Sequence, residues 1–316
     1  MEPIGRAGAL LMLCCGPAYA QDYPSARLLH ILTSQSGSGS DVVARILIKR
    51  MPDTFGQNAI VDNRGILAPE IAAKAPPDGY TVLFYSTPLW VSPLLQSKTQ
   101  WDAVRDFTPV TLAVNAPNLL AVHPSLPVKS VRELLALANA RPGELNYGSG
   151  SAGSSSHLAA ELFNAMARVN MTRIPYRGVG PALVGLLGGQ VQILFPSAGS
   201  GLPHVKSGRM RALAVSSAKP TALLPGLPTI AASGVPGYEA DTPLGVFLPA
   251  ATPAKIVAQL QQGIVATLNL PEIKKLVLAQ ATEVVGSSPA EFAAWLKADI
   301  ARWSKLIREK GLRDSQ

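Results

Sequence analysis

Two loops rich in glycine and serine constrain this chain most, because each follows a strand-like run and opens a helix. The first spans residues 33–41 (TSQSGSGSD) and the second spans residues 148–156 (GSGSAGSSS). Glycine lets a backbone approach a ligand closely, and a serine hydroxyl both donates and accepts hydrogen bonds. The first N–H groups of a helix lack an internal partner, and the helix dipole favours negative charge beside them. We therefore expect two anion-binding loops that grip one carboxylated ligand.

Strand-like and helix-like segments alternate around both loops. A strand–helix–strand–helix–strand pattern covers residues 28–85, and a similar pattern restarts at residue 119. This alternation is typical of a mainly parallel sheet flanked by helices, which binds ligands at the carboxyl ends of its strands. Capping boxes begin at Ser130 and Ser288. The helix after Ser288 has an apolar stripe, which predicts that it packs back onto the first half of the chain.

The predicted fold is therefore α/β with two lobes, each a mainly parallel sheet flanked by helices. We expect the chain to cross between the lobes twice. The predicted first lobe comprises residues 21–121 and 246–316, and the predicted second lobe comprises residues 122–245.

Residues 1–20 have the pattern of a cleavable secretory signal peptide. Arg6 supplies a positive charge, an apolar run follows, and small residues precede a cleavage site before Gln21. Cys14 and Cys15 are the two cysteines of the sequence, so the processed chain would contain none. No later stretch is apolar for long enough to span a membrane. We expect export to the periplasm without disulfide bonds.

The formal net charge of +8 raises the question of nucleic-acid binding. However, the 28 Lys and Arg residues are scattered and form no basic run. A diffuse positive surface attracts small anions to a cleft. We therefore expect no nucleic-acid partner.

Catalytic and cofactor motifs are missing or incomplete. The four histidines are far apart in the sequence, and neither a G-x-S-x-G elbow nor a Walker motif occurs. Residues 148–153 satisfy G-x-G-x-x-G, yet residues 171–176 supply no acidic side chain for a ribose. The sequence thus predicts no catalytic residue, no metal site, no cofactor and no enzyme activity.

The candidate ligand-binding residues lie in the two loops and at other predicted strand ends. Asp41 has two interpretations. It is either an acidic residue that the helix dipole favours in a first helical turn, or a side chain that bonds loop N–H groups or ordered water, or accepts from a ligand amine. We favour a role in loop structure with an indirect role in ligand binding. The guanidinium of Arg177 can pair with a carboxylate, although a lone Arg is usually a solvated charge. The full set is Ser34, Ser36, Gly37, Ser38, Gly39, Asp41, Ser86, Thr87, Gly150, Ser151, Ser154, Ser155, Tyr176, Arg177 and Ser197.

A series of short motifs in order resembles the Bug-type periplasmic receptors, the substrate-binding proteins of tripartite tricarboxylate transporters. The resemblance covers essentially all of the chain after residue 20. The motifs are SDVVAR at 40–45, APPDGYT at 75–81, VRDF at 104–107, LNYGS at 145–149, SSHLA at 155–159, IPYRG at 174–178, LGGQV at 187–191, LPHV at 202–205 and GRMRALA at 208–214.

The resemblance implies a two-lobed Venus-flytrap fold that grips carboxylated solutes with two loops, partly through water. Those loops match residues 34–41 and 150–156 of this chain. Relatives usually carry a Pro-Pro-Gly-Gly-Gly-type first loop, whereas this chain has Ser36-Gly37-Ser38-Gly39. The glycine-rich loop that follows Arg64 in relatives is also shortened here. We expect an acid that is bulkier or less fully wrapped than is usual for the family.

The sequence thus predicts a periplasmic receptor that captures a small carboxylated metabolite for a tripartite tricarboxylate-type transporter. Its expected partners are the solute and membrane subunits of that transporter, and its expected oligomeric state is a monomer. Two alternatives stay open: a ligand sensor for a membrane signalling partner, and a diverged scaffold without ligand. An enzyme on the same fold is disfavoured because the sequence shows no nucleophile–base pair.

Overall fold

A computed structural model describes residues 23–25, 27–96, 99–221 and 224–310. The predicted signal peptide and its cleavage site lie outside the described residues. Within the described part of the chain, no helix combines the length and the apolar character needed to cross a membrane.

Eleven strands form two sheets in the described residues. The strands are β1 (Leu29–Thr33), β2 (Ala59–Asn63), β3 (Thr81–Ser86), β4 (Phe107–Ala116), β5 (Leu119–Val122), β6 (Asn146–Ser149), β7 (Thr172–Pro175), β8 (Ile193–Leu194), β9 (Arg211–Val215), β10 (Thr242–Pro249) and β11 (Glu283–Val284). The first sheet has the order β11-β4-β10-β3-β1-β2, and the second has the order β7-β6-β8-β5-β9. We call each sheet with its helices a lobe.

Eleven α-helices cover the faces of these sheets in the same residues. They are α1 (Gly39–Ile48), α2 (Met51–Phe55), α3 (Ala68–Ala73), α4 (Pro88–Leu95), α5 (Val131–Ala140), α6 (Ser155–Ala167), α7 (Val179–Leu187), α8 (Ala198–Lys206), α9 (Ala254–Asn269), α10 (Pro271–Ala279) and α11 (Pro289–Lys310).

Both sheets are mixed, which corrects the expectation of mainly parallel sheets. In the first sheet β1 pairs in parallel with β2 and β3, but β10 runs antiparallel between β3 and β4. In the second sheet β6 pairs in parallel with β7 and β8, but β5 is antiparallel to β8 and β9. The edge strand β11 is also antiparallel to β4. Strands β5 and β10 each enter their sheet directly after a crossing from the other lobe.

The crossings lie a few residues from the predicted boundaries. The predicted divisions after residues 121 and 245 fall inside β5 and β10, which are continuous strands of one sheet each. The chain instead leaves the first sheet at residues 117–118 and returns to it at Thr242. Residues 117–118 and the residues just before Thr242 are therefore the covalent connections between the lobes.

Each sheet buries an apolar core on both of its faces. In the first lobe α1, α9 and α10 cover one face, and α3, α4 and α11 cover the other around Trp90, Phe247 and Phe292. In the second lobe α5 and α6 cover one face, and α7 and α8 cover the other. Burial on both faces fixes the strand ends, and therefore the loops that follow them.

The long C-terminal helix α11 begins at the predicted capping box. The hydroxyl of Ser288 accepts a hydrogen bond from the Glu291 N–H, and the Glu291 carboxylate accepts one from the Ser288 N–H. The apolar stripe of α11 packs on the first lobe, as predicted. Asp299 accepts a hydrogen bond from the Trp90 indole at 2.8 Å, which ties α11 to α4.

Candidate functional site

Five helix N-termini converge on one cleft between the two lobes. The helices are α1 and α4 of the first lobe and α6, α7 and α8 of the second, and each follows the carboxyl end of a strand. The enclosed volume is about 50 Å³. The lining residues are Ser34, Gln35, Ser38, Gly39, Ser40, Tyr85, Ser86, Pro88, Gly150, Ser151, Ser154, Ser155, Gly178, Val179, Ser197, Thr242 and Leu244.

The first glycine–serine loop presents a cluster of three hydroxyl groups. The hydroxyl of Ser34 bonds to those of Ser38 and Ser40, which lie 3.1 Å from each other. Ser38 is also the N-cap of α1, since its hydroxyl accepts a hydrogen bond from the Asp41 N–H. A hydroxyl can turn to donate to a new acceptor. The cluster can therefore redirect its donors toward an anion in the cleft.

Asp41 holds this loop in place and does not line the cleft. One carboxylate oxygen accepts a hydrogen bond from the Gly37 N–H at 2.9 Å. The other accepts hydrogen bonds from Arg45 and from Asn63. Gly37 has a positive φ of 78°, which glycine adopts at little cost. The hydrogen bond from the loop N–H of Gly37 agrees with the second interpretation of Asp41, a side chain that shapes the loop and acts on a ligand only indirectly.

The second glycine–serine loop is held in the same manner by its own helix. The hydroxyl of Ser154 caps α6 by accepting from the His157 N–H, and that of Ser156 accepts from the Gly150 N–H. Atom Nδ1 of His157 accepts a hydrogen bond from the Gly153 N–H at 3.1 Å. That nitrogen therefore carries no proton. His157 is a buried loop-positioning residue.

Two hydrogen bonds and one close approach bring the lobes together across the cleft. The side-chain amide of Gln35 donates to the Arg177 carbonyl, and the hydroxyl of Ser92 donates to the Ala152 carbonyl at 2.8 Å. A Cβ added to Gly39 would lie 3.0 Å from the hydroxyl oxygen of Ser197. The lobes are therefore in a closed arrangement, in which the loop glycines permit the close approach.

Serine is the commonest residue among the described residues that line the cleft, and none of them has a charged side chain. Burial raises the pKa of Tyr85 well above its usual range, so the phenol stays neutral and donates to the Gly65 carbonyl. The described residues also contain no group of three or more His, Cys, Asp or Glu side chains placed to hold a metal ion. The electrostatics of the cleft thus come from helix N-termini and hydroxyl groups.

Nine of the predicted site residues line the cleft, and six do not. Those in the lining are Ser34, Ser38, Gly39, Ser86, Gly150, Ser151, Ser154, Ser155 and Ser197. Those outside it are Ser36, Gly37, Asp41, Thr87, Tyr176 and Arg177.

The structure shows why predicted site residues such as Thr87 and Arg177 lie outside the cleft lining. Ser36 and Gly37 form the exposed tip of the first loop. Thr87 precedes α4 and faces a different cavity on the other side of β10. The Tyr176 ring packs against α7, with its hydroxyl 3.3 Å from Gln190, and Arg177 is exposed and contributes only its carbonyl to the closing contact.

Eight lining residues were not among the predicted ones. Gln35 and Ser40 belong to the first loop itself, so its composition could have indicated them. Gly178 and Val179 open α7, directly after the predicted Arg177. Tyr85 and Pro88 flank the predicted Ser86, whereas Thr242 and Leu244 come from the returning strand β10. No local signal connects β10 to the loops, because only the tertiary fold brings it beside them.

An apolar side chamber of about 230 Å³ adjoins the cleft. The cleft and the chamber share Tyr85, Pro88 and Ser151 in their linings. Ile66 and Leu67, on the shortened loop after Arg64, are each more than half exposed at this chamber, and Trp101 also lines it. The chamber can hold an apolar part of a ligand whose charged end lies in the cleft.

Buried hydrogen bonds connect the two crossings behind the cleft. The Asn118 side chain donates to the Ala240 carbonyl and accepts from the Thr242 hydroxyl at 2.8 Å. Asp241 accepts hydrogen bonds from Ser216 of the second lobe and from Asn115 of the first. These contacts define the relative position of the lobes where the chain crosses.

The chain is similar in sequence and in structure to known proteins. A family model for the tripartite tricarboxylate transporter family receptor matches residues 43–312. Protein BugT of Bordetella pertussis is 33% identical over 93% of this chain and 92% of its own length. The structure of R. palustris Rpa4515 with adipate has a TM-score of 0.88 and 36% identity, over 92% of this chain and 99% of that chain. The structure of the periplasmic binding protein BugD has a TM-score of 0.87 and 27% identity, over 91% of this chain and 98% of that chain.

These similarities confirm two predictions made from the sequence. The resemblance to Bug-type receptors is supported both by the family model and by BugT. The two-lobed fold of periplasmic binding proteins is supported by BugD and by the adipate-bound structure, which align along nearly the whole described chain.

Proposed function

This chain belongs to the tripartite tricarboxylate transporter receptor family, and from that premise we propose that it captures a small carboxylate between its lobes. The observation that carries the proposal is the convergence of five helix N-termini on a cleft whose described lining has no charged side chain. Each N-terminus carries roughly half a positive charge and unpaired N–H donors. The cleft therefore offers an anion several donors and no competing ion.

The site favours an ionised acid over a cation or a neutral solute. No carboxylate of the described residues lines the cleft to balance an ammonium group. The serine hydroxyls can donate hydrogen bonds, and the lone pairs of a carboxylate can accept several of them. An ester has a carbonyl but no charge, so it gains little from the helix dipoles.

The side chamber indicates the shape of the acid. The closed cleft is small, at about 50 Å³, whereas the adjoining apolar chamber has about 230 Å³. An acid with a polar head in the cleft and an aliphatic or aromatic body beside Trp101 would use both volumes. Adipate, present in the R. palustris neighbour, has a chain of methylene groups between its carboxylates. We propose an acid that is bulkier or less fully wrapped than is usual for the family.

The biological setting follows from the family. Its members are receptors that bind solutes, so we propose that this chain performs no catalytic step. We propose export by the signal peptide of residues 1–20, action as a monomer in the periplasm, and delivery to membrane subunits of a tripartite tricarboxylate-type transporter. A membrane sensor that reads the same closed form is the alternative partner.

Thermal unfolding with paired acids and esters tests this proposal. The panel contains dicarboxylates of four to eight carbons, aromatic acids, and the methyl ester of each. An acid that binds should stabilise the chain by about 2.7 kcal/mol at a hundredfold excess over Kd. Its methyl ester should give almost no change, because it carries no charge.

Sodium chloride at matched ionic strength is the control for a general salt effect. Stabilisation by an ester or a neutral compound but by no acid would contradict the carboxylate assignment. The absence of stabilisation by every compound of a broad acid panel would favour the scaffold without ligand.

A further inference from the structure

The side chain of Gln35 crosses the cleft from the first lobe to the second. Gln35 lies in the first glycine–serine loop, directly after β1, and lines the cleft. Its amide nitrogen donates a hydrogen bond to the Arg177 carbonyl of the second lobe. Arg177 directly precedes Gly178, the N-cap residue of α7. One side chain of the first loop is therefore bound to the segment that opens a helix of the other lobe.

Two glycines, one from each lobe, make room for the end of this side chain. A Cβ added to Gly178 would lie 2.7 Å from atom Oε1 of Gln35 and 2.8 Å from its Cδ. A Cβ added to Gly65, at the start of the shortened loop after Arg64, would lie 2.6 Å from atom Nε2. These distances are too short for a real Cβ. Gly65 and Gly178 thus form a glycine socket that receives the amide of Gln35.

The glycine socket exists only when the lobes are together, because Gly65 belongs to the first lobe and Gly178 to the second. The tip of the first loop also meets α7 beside the socket, since the Ser36 carbonyl oxygen would lie 3.0 Å from a Cβ added to Gly180. In an open form Gln35 would lose both the Arg177 carbonyl and its contact with Gly178. A contact that is made only in the closed form slows the release of a solute more than it affects capture.

The amide of Gln35 can also bind a solute. A glutamine side chain has two N–H donors and one carbonyl acceptor. The described residues provide one hydrogen-bond partner for them, the Arg177 carbonyl. Because Gln35 lines the cleft, its second N–H can donate to a carboxylate there. A bound acid would then hold the amide in the orientation in which it bonds to Arg177.

We propose that Gln35 couples binding of the acid to closure of the lobes, by donating one N–H to the acid and the other to the Arg177 carbonyl. This inference rests on the proposed function, because it requires a carboxylate in the cleft. Gln35 is then both a ligand contact and a positioning residue for the closed form. Its loss should shorten the time for which the acid stays bound.

Stopped-flow fluorescence and calorimetric titration with adipate, hexanoate and benzoate test this proposal. Trp101 of the side chamber is the expected reporter. Gln35→Met keeps the length of the side chain and removes the donors and the acceptor of the amide. We expect it to raise the dissociation rate constant at least tenfold and to change the association rate constant less than threefold. Gln35→Glu keeps the shape but loses the N–H groups and adds a negative charge, so it should bind more weakly still.

A double-mutant cycle tests whether the glycine socket acts through Gln35. The three atoms nearest to a Cβ added at Gly178 all belong to Gln35, so Gly178→Ala should displace the amide and weaken binding at least tenfold. In the Gln35→Ala background, Gly178→Ala should weaken binding less than twofold further. Gly188→Ala, at the other end of α7 and outside the cleft lining, is the control. Its added Cβ would lie 3.4 Å from the nearest atom, an ordinary contact, so it should bind as the wild type does.

The outcomes distinguish this inference from the proposed function. If the wild type binds an acid and Gln35→Met releases it at the wild-type rate, the role of Gln35 is overturned and the carboxylate site stands. Additive losses of affinity for Gln35→Ala and Gly178→Ala would likewise overturn the glycine socket. If the wild type binds neither these three acids nor any acid of the broader panel, this inference fails together with the proposed function.

Discussion

Gly153→Ala should weaken binding of the cleft ligand about a hundredfold, or about 2.8 kcal/mol. Gly153 has a φ of 77°, and a Cβ added there would lie 2.7 Å from the hydroxyl oxygen and 2.9 Å from the backbone nitrogen of Ser92. Gly153 belongs to the second lobe and Ser92 to the first. The methyl group would therefore hold the lobes apart in the closed form and leave an open form intact. Calorimetric titration with the acid that stabilises best measures the change.

The matched control for this variant is Gly208→Ala. Gly208 has a similar φ of 71°, but no atom lies within 4 Å of an added Cβ. Both substitutions impose comparable backbone strain, so both should lower the melting temperature to a similar extent. Only Gly153→Ala should lose affinity. An affinity of Gly153→Ala within threefold of the wild type would show that closure through Ser92 is not needed for binding.

As the pH rises from about 4 to above 6, the wild type should lose about 3 kcal/mol of stability that Asp241→Asn does not lose. Burial raises the pKa of Asp241 to about 6, and Glu239 adds to this effect. Hydrogen bonds from Ser216 and Asn115 and the charge of Arg302 act in the opposite direction. In the unfolded chain the pKa of an Asp is close to 3.9. The folded chain therefore holds the extra proton between about pH 4 and pH 6.

The sign of the effect follows from this raised pKa. The contribution of Asp241 to stability is fully present below about pH 4 and is lost as the pH rises through about 6. Asp241→Asn has no carboxyl proton to lose. Its free energy of unfolding should therefore rise relative to that of the wild type as the pH increases over this interval. Urea unfolding at several pH values measures the free energy of unfolding of the wild type and of the variant.

Ser216→Ala provides the comparison for the Asp241 variant. It removes a hydrogen bond that favours the ionised carboxylate but keeps the carboxyl group. The total loss of stability with rising pH should therefore be larger in Ser216→Ala, where it continues to a higher pH, and smaller in Asp241→Asn. Parallel curves for the wild type and Asp241→Asn would contradict the assignment of a raised pKa to this carboxyl group.

The features that could be predicted from the sequence are those with local causes. The predicted capping box at Ser288 forms with both of its hydrogen bonds. At Ser130 the hydroxyl caps α5 as predicted, but the Glu133 carboxylate accepts from the Lys129 N–H instead of the Ser130 N–H. Both caps involve residues only three or four positions apart. Each glycine–serine loop follows the carboxyl end of a strand in its own sheet, where α/β folds bind ligands, and the two lobes bring both loops to one cleft. The composition of the loops therefore indicated seven of the seventeen residues that line the cleft.

The features that could not be predicted depend on contacts between distant segments. The sequence patterns predict no strand over β4, because most of its residues are buried and apolar and polar residues do not alternate along it. Pro109 within it also resembles a strand breaker, yet it pairs with Phe247 beside an irregularity in the register, where proline is tolerated. The surroundings of Thr87 likewise depend on β10, which lies far from Thr87 in the sequence.

A crystal structure of the chain with the acid that stabilises it best tests directly whether the cleft binds a carboxylate. We expect a carboxylate between the N-termini of α1 and α6, bonded directly or through water to groups of Ser38, Ser40, Ser154 or Ser155. We also expect the body of the acid to extend toward Trp101. An acid bound outside this cleft, or bound there through a cationic side chain, would show that the helix N-termini do not form the binding site.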